Sequence, residues 1–161
     1  MGIYKLGLGG GCHWCTEAVF QSLHGVLTVE QGYISSIDEN ISFSEAVIIH
    51  YEPSIIVLKD LIEIHLYTHQ STTNHKLRKR YRSAVYFFYE DQRQQSKEIL
   101  QELQRDFDKK ILTQVLPFKT FKSSRPELLD YYKTNPERPF CKSYIHPKLL
   151  MLREKYSEKL K

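Results

Sequence analysis

The fold is decided by residues 3–20, which read IYKLGLGGGCHWCTEAVF. Residues 3–8 predict a short strand, and the three glycines at 9–11 predict a tight turn directly after it. The apolar spacing beyond the turn, which includes Phe20, predicts a helix. Cys12 is therefore expected in the first turn of that helix, close to a flexible backbone.

The same order of strand and then helix repeats along the chain. Further strands are predicted at 46–51, 83–89 and 111–118, where apolar, β-branched and aromatic residues cluster. One helix is expected after Pro53, and another is expected to begin at Asp91 as its N-cap. Helices and strands thus alternate over most of the sequence.

Beyond Phe121 the chain becomes polar and irregular, and prolines interrupt it until a helical pattern begins at Lys148. We predict an α+β fold, with helices packed on a mixed sheet, that resembles a ferredoxin-like core with additions. A coil-rich C-terminal tail that ends in a helix would complete it. The length of 161 residues fits one domain, 1–161.

The composition predicts a folded globular protein, because 41% of the residues are hydrophobic and 26% are charged. The sequence contains no basic segment with a long apolar run of the kind that directs export or spans a membrane, so we expect a cytoplasmic protein. Three cysteines cannot all pair with one another, which disfavours a purely structural disulfide framework. A reactive thiol or a metal site is then the expected use of these residues.

A helix N-terminus favours the ionised form of a thiol, so Cys12 is a candidate nucleophile. Cys15, one turn later, is either a second redox thiol or a core residue, and the sequence leaves both interpretations open. Cys141 lies in the predicted coil tail, from which a mobile thiol could reach Cys12.

Five segments together resemble the A-type peptide methionine sulfoxide reductases. GCHWCTE (11–17) is similar to that family's GCFW signature, and SEAV (44–47) with YEP (51–53) is similar to its AEVV and YDP run. YRSAV (81–85) resembles its QYRSAIF strand, and DYYKTNPERPFC (130–141) resembles its DYxxxNPxxxxC tail. The resemblance covers nearly the whole chain.

The resemblance implies a thiol reaction that consumes methionine sulfoxide, either free or in proteins. Cys12 would attack the sulfoxide sulfur and become a sulfenic acid. Glu45 would be the acid, in an apolar pocket that favours its protonated form. Tyr81 would hold the sulfoxide oxygen, and Trp14 would pack on the substrate's methyl group.

The resemblance also implies how the enzyme would be regenerated. Cys15 or Cys141 would convert the sulfenic acid to a disulfide, which a thioredoxin-like protein would then reduce. Neither a bound cofactor nor a metal is implied.

Three departures from the family pattern concern the substrate pocket. His13 stands where phenylalanine is usual, and we hypothesise that its imidazolium favours ionised Cys12. The stretch between Tyr33 and Glu45 is short, so Tyr33 is the candidate to replace a missing substrate-facing tyrosine. The basic run 76–80 occupies the place of an expected acidic residue.

Three alternatives stay open at this point. The basic residues of 76–82, with Tyr81 among them, could contact a nucleic acid, although a solvated loop is the stronger interpretation. The fold could also carry a thiol reaction on another oxidised substrate. A zinc site would use the three cysteines and a histidine, namely Cys12, Cys15 and Cys141 with His13 or His146. We expect a monomer.

Overall fold

The computed structural model describes residues 2–74 and 76–161. Its strands are β1 (Tyr4–Gly9), β2 (Val26–Ser35), β3 (Ser44–Tyr51), β4 (Ala84–Phe87), β5 (Gln114–Pro117) and β6 (Thr120–Ser123). Its α-helices are α1 (His13–Gln21), α2 (Leu58–Thr68), α3 (Glu90–Leu103), α4 (Tyr131–Thr134) and α5 (His146–Lys155). Short 3₁₀ turns join several of these elements, and a π-helical turn, Cys141–Ile145, leads directly into α5.

The six strands form one sheet in the order β5-β4-β1-β3-β2-β6. The β4 and β5 strands pair in parallel and all other neighbours are antiparallel, so the sheet is mixed. The central part, β1-α1-β2-β3-α2-β4 with strand order β4-β1-β3-β2, is the split βαβ arrangement of a ferredoxin-like core. The predicted α+β class is therefore confirmed, with β5 and β6 as the additions at the two edges.

Each face of the sheet has its own apolar cluster, because successive side chains of a strand point to opposite faces. The larger cluster joins Leu6 and Leu8 of β1 to residues of α1, α2 and α3, such as Phe20 and Leu61. The smaller cluster contains Ile48 and Tyr86 and is partly covered by Phe118 and Phe121. Helices thus cover one face, and the chain around β6 contributes to the cover of the other.

Three parts of the sequence prediction were wrong about secondary structure. The β2 and β6 strands were not predicted, and the tail is largely helical instead of coil, through α4 and the segment that begins at Cys141. The helix α3 begins at Glu90, with Tyr89 rather than Asp91 at its N-cap. Across the described residues, no helix is long and apolar enough to cross a membrane.

Candidate active site

The glycine turn brings the backbone of β1 close to two other elements. A Cβ atom on Gly10 would lie 2.5 Å from the ring of His69, and one on Gly9 would lie 2.9 Å from the carbonyl oxygen of Glu45. Glycine is required at both positions because no side chain fits. Cys12 follows as the N-cap of α1, and its carbonyl oxygen accepts hydrogen bonds from the backbone N–H groups of Cys15 and Thr16, at 3.1 and 3.2 Å.

Side chains from outside the motif also fix this turn. His65 Nε2 donates to the Gly9 carbonyl oxygen at 2.8 Å, and burial lowers the pKa of His65 to about 4. Arg78 Nη1 donates to the carbonyl oxygens of Gly10, at 2.8 Å, and of Tyr81, at 2.9 Å. Neither role was predicted from the sequence, in which Arg78 looked like one member of a basic run.

Cys12 and Cys15 form a hydrogen-bonded pair of thiols. The hydrogen bond between the two sulfurs lowers the pKa of Cys15 and, together with burial, raises the pKa of Cys12. The positive charge of Lys148 on α5 further lowers the pKa of Cys15. Each thiol therefore affects the ionisation of the other, and a negative charge on one disfavours a second negative charge on its neighbour.

Cys141 lies in the same apolar cluster as Cys15 and Ile145, and Cys12 packs against that cluster. Its thiol is fully buried and donates to the carbonyl oxygen of Asn135 at 3.6 Å. The expectation of a mobile thiol on a coil is wrong, because Cys141 begins a helical turn. Of the three cysteines, all described by the structure, Cys12 is the one that keeps partial exposure.

Cys12 and Cys15 line a cavity of about 280 Å³. Tyr81 forms another part of the lining, and desolvation is the main reason that the pKa of its phenol is raised. The opposite part comes from the C-terminal helical region, with Phe140, Tyr144 and Lys148. A small molecule or side chain that enters this cavity would meet the sulfur of Cys12 and the ring of Tyr81 together.

The other predicted site residues lie near Cys12 but do not line this cavity. Trp14 stacks face to face on Tyr131 of α4, with ring centroids 4.1 Å apart, and meets Phe140 edge-on. Tyr33 of β2 contacts the ring of His13 edge-on, at a centroid distance of 5.1 Å. Trp14 thus contacts the tail directly, a role that the sequence analysis did not predict.

Glu45 on β3 is 3% exposed and contacts two groups that the sequence analysis did not expect. Its Oε1 accepts the backbone N–H of His13 at 3.2 Å, and the His13 Nε2 atom lies 3.6 Å from the same oxygen. Its Oε2 accepts from Arg80 Nε at 2.8 Å, although the Arg80 side chain is largely exposed. The environment is buried but not apolar, so the expected apolar pocket is wrong.

The imidazole of His13 faces Glu45 instead of the thiol pair. Its Nδ1 donates to the carbonyl oxygen of Gly32 at 2.7 Å, which leaves Nε2 toward Glu45. Burial lowers the pKa of His13, and the negative charge of Glu45 offsets part of this effect. The hypothesis that a His13 imidazolium acts on Cys12 is therefore not supported.

Glu17 connects α1 to the tail and was missed from the sequence. Its carboxylate accepts hydrogen bonds from the backbone N–H groups of Asp130 and Tyr131, at 2.9 and 3.2 Å, and from Gln31 Nε2 at 2.8 Å. Burial raises its pKa, and these donors partly oppose the effect. Its place inside GCHWCTE is the sequence signal that could have revealed it.

The structure assigns much of the basic run to internal contacts. Arg78 binds backbone carbonyls, Arg80 pairs with Glu45, and the buried Arg82 donates to the carbonyl oxygens of Ile34 and Ser42. These contacts disfavour the nucleic-acid alternative. Within residues 2–74 and 76–161, no three His, Cys, Asp or Glu side chains form a group that could hold a metal ion.

A partly exposed thiol at a helix N-terminus, with a second free thiol beside it, is typical of a thiol-based redox protein. A family model described as peptide methionine sulfoxide reductase matches residues 4–160. The chain belongs to the peptide methionine sulfoxide reductase family, as its motifs predicted.

Curated relatives carry the name peptide methionine sulfoxide reductase MsrA. The protein of Sulfolobus acidocaldarius is 31% identical, with 94% of each chain covered. The protein of Deinococcus radiodurans is 34% identical, with 94% of this chain and 82% of the relative covered.

Solved structures share the fold. Mxr1 from Saccharomyces cerevisiae in its reduced form gives a TM-score of 0.75 at 22% identity, with 84% of this chain and 87% of that chain covered. Methionine sulfoxide reductase A of Corynebacterium diphtheriae gives 0.74 at 22% identity, with 84% and 76% covered. A structure of Mxr1 in complex with Trx2 gives 0.65 at 23% identity, with 77% and 82% covered.

Proposed function

We propose that this chain reduces the S epimer of methionine sulfoxide, free or within peptides, to methionine, with Cys12 as the nucleophile. The observation that carries the proposal is the place of Cys12, which is partly exposed at the wall of a cavity and hydrogen-bonded to Cys15. The family membership supplies the substrate class.

In the first step, the thiolate of Cys12 attacks the sulfoxide sulfur. Glu45 gives a proton to the sulfoxide oxygen, which leaves the substrate and ends as the hydroxyl of a Cys12 sulfenic acid. The substrate sulfur is reduced by two electrons and the Cys12 sulfur is oxidised by two. We propose that Tyr81 binds the sulfoxide oxygen and that His13, Trp14 and Tyr33 lie around the substrate side chain.

In the second step, the Cys15 thiol attacks the Cys12 sulfenic acid, so that a disulfide forms and water leaves. Cys15 is favoured over Cys141 as the first resolving thiol because its sulfur is already in contact with Cys12. Cys141 shares the apolar cluster of Cys15 and could receive the disulfide in a later exchange.

A dithiol protein of the thioredoxin type is the proposed reductant, and the solved complex of the structural neighbour Mxr1 with Trx2 supports this choice. Three unpaired cysteines fit a reducing compartment, so we propose the cytoplasm. We also propose that the protein is active as a monomer, as its sequence led us to expect.

Turnover of the separated S and R epimers, with dithiothreitol as reductant, tests this function. We expect turnover of the S epimer by the wild type and, in Cys12→Ser, a loss of at least about 10³-fold, because no sulfur is left to accept the oxygen. Cys141→Ser is the matched control and should keep turnover, since dithiothreitol reduces the sulfenic acid directly. If the folded wild type consumes neither epimer, the function is a thiol reaction on another oxidised substrate.

A further inference from the structure

Two departures from the family pattern meet at one carboxylate. His13 replaces the usual phenylalanine, and Arg80 takes the place of the glutamine that precedes the tyrosine in the family strand. They are distant in sequence, yet His13 lies against Oε1 of Glu45 and Arg80 against Oε2. The acid of the reaction therefore has partners in this chain that the family signature does not supply.

The hydrogen bond to Gly32 decides which ring nitrogen of His13 carries a hydrogen. A carbonyl oxygen only accepts hydrogen bonds, so Nδ1, at 2.7 Å from it, must be the donor. In the neutral ring Nε2 is then an acceptor with a free lone pair, and it lies 3.6 Å from Glu45 Oε1.

Two acceptors at this distance repel each other unless a proton lies between them. Both side chains are buried, with 4% of each exposed, so water screens the repulsion poorly. Other titratable or charged groups act on this pair as well: Tyr33, Arg80 and Tyr81, and the thiols Cys12 and Cys15.

We propose that the pair formed by His13 and Glu45 retains one proton, held on one of these two side chains, and that His13 is a positioning residue which keeps this proton available for the sulfoxide oxygen. The proposal deepens the proposed function and rests on it for the transfer step. The transfer leaves Glu45 as a carboxylate and His13 as a neutral imidazole. A proton from solvent then restores the pair.

The retained proton is tested first without turnover, by ¹⁵N NMR of histidine-labelled protein. His13→Asn assigns the His13 signals by their loss. The comparison is with Glu45→Met, which fills a similar volume but supplies no proton. Near neutral pH, we expect the ¹⁵N chemical shift of Nε2 in the wild type to differ from the value of an unprotonated ring nitrogen. As the pH rises, this chemical shift should move to the unprotonated value. In Glu45→Met, Nε2 should already show the unprotonated value at neutral pH. The same Nε2 signal in both proteins would overturn the proposal.

The second test is the pH profile of kcat for the wild type, His13→Asn and His13→Phe. Asparagine keeps a donor for the Gly32 carbonyl but places no basic nitrogen against Glu45. We expect kcat near neutral pH to fall about tenfold in both variants, because the supply of the proton is weakened. As the pH is raised, kcat should also decline at a lower pH in the variants than in the wild type. If His13→Asn keeps the wild-type profile while only His13→Phe differs, His13 is merely structural and the proposal is wrong.

The two tests separate failure of this inference from failure of the proposed function. If the protein reduces no methionine sulfoxide, the NMR comparison still decides whether the pair retains the proton. If it reduces the S epimer but the Nε2 signals are identical, the function stands and the role of His13 falls.

Discussion

The two sides of Cys12 are built in different ways. The thiol side, formed by Cys12, Cys15 and Cys141, follows the family motifs and brings all three sulfurs to one apolar cluster. The carboxylate side, formed by His13, Glu45 and Arg80, joins three separate segments through contacts that the motifs do not specify. The difference indicates that Cys12 and Cys15 are placed by one local segment, whereas the partners of Glu45 are placed by tertiary contacts.

The largest expected effect concerns regeneration on the thiol side. With thioredoxin as reductant, we expect turnover of Cys15→Ser to fall on the order of 100-fold, because the sulfenic acid has lost its neighbouring thiol. Single-turnover release of methionine should persist, and a dimedone adduct on Cys12, read by mass spectrometry, should increase. In the matched variant Cys141→Ser, turnover should fall much less than in Cys15→Ser. A larger loss of turnover in Cys141→Ser than in Cys15→Ser would assign the first resolving step to Cys141.

An intermediate effect is expected where the thiol side is anchored to the tail. Glu17→Ala leaves the buried N–H groups of Asp130 and Tyr131 without their acceptor, so we expect the free energy of unfolding to fall by about 2 kcal/mol. Urea unfolding measures this loss, and limited proteolysis should cut the tail first. Glu127→Ala, an exposed carboxylate nearby, is the control; an equal loss in both variants would contradict the anchoring role.

The smallest effect is expected at the exposed end of the carboxylate side. The guanidinium of Arg80 attracts the negative form of Glu45, so its loss in Arg80→Gln favours the uncharged acid. Because the Arg80 side chain is largely exposed, we expect only about a two- to fivefold rise in kcat at alkaline pH. The neighbouring exposed cation in Lys79→Gln serves as the control. A fall in kcat instead would mean that Arg80 contacts the substrate and does not merely partner the acid.

The predictable parts of the fold are those with a strong local pattern. The segment β1, the glycine turn and α1 carry their signal within one stretch of chain, and the structure places them as expected. The β2 strand was missed because Gln31 and Gly32 interrupt its apolar pattern. A Cβ on Gly32 would lie 2.2 Å from the Lys122 carbonyl oxygen, so the strand is adapted to a neighbour, β6, that only the tertiary fold brings near.

The site divides in the same way. The resemblance identified Cys12, Glu45 and Tyr81 as candidates, and their catalytic roles stay predictions. Contacts between distant segments could not be predicted, since Arg80 looked like one more cation of a basic run. Cys141 was placed on a coil because prolines around it suggested one, yet the chain turns helical there and buries the thiol.

The link between Glu17 and Tyr131 has a consequence for synthesis of the protein. The two residues lie 114 positions apart, and the tail that this link anchors supplies Phe140, Tyr144 and Lys148 to the wall of the cavity. During translation Cys12 therefore leaves the ribosome long before its pocket can close. During that interval the thiol of Cys12 in the nascent chain is exposed to oxidants. These are the same oxidants whose damage the family repairs.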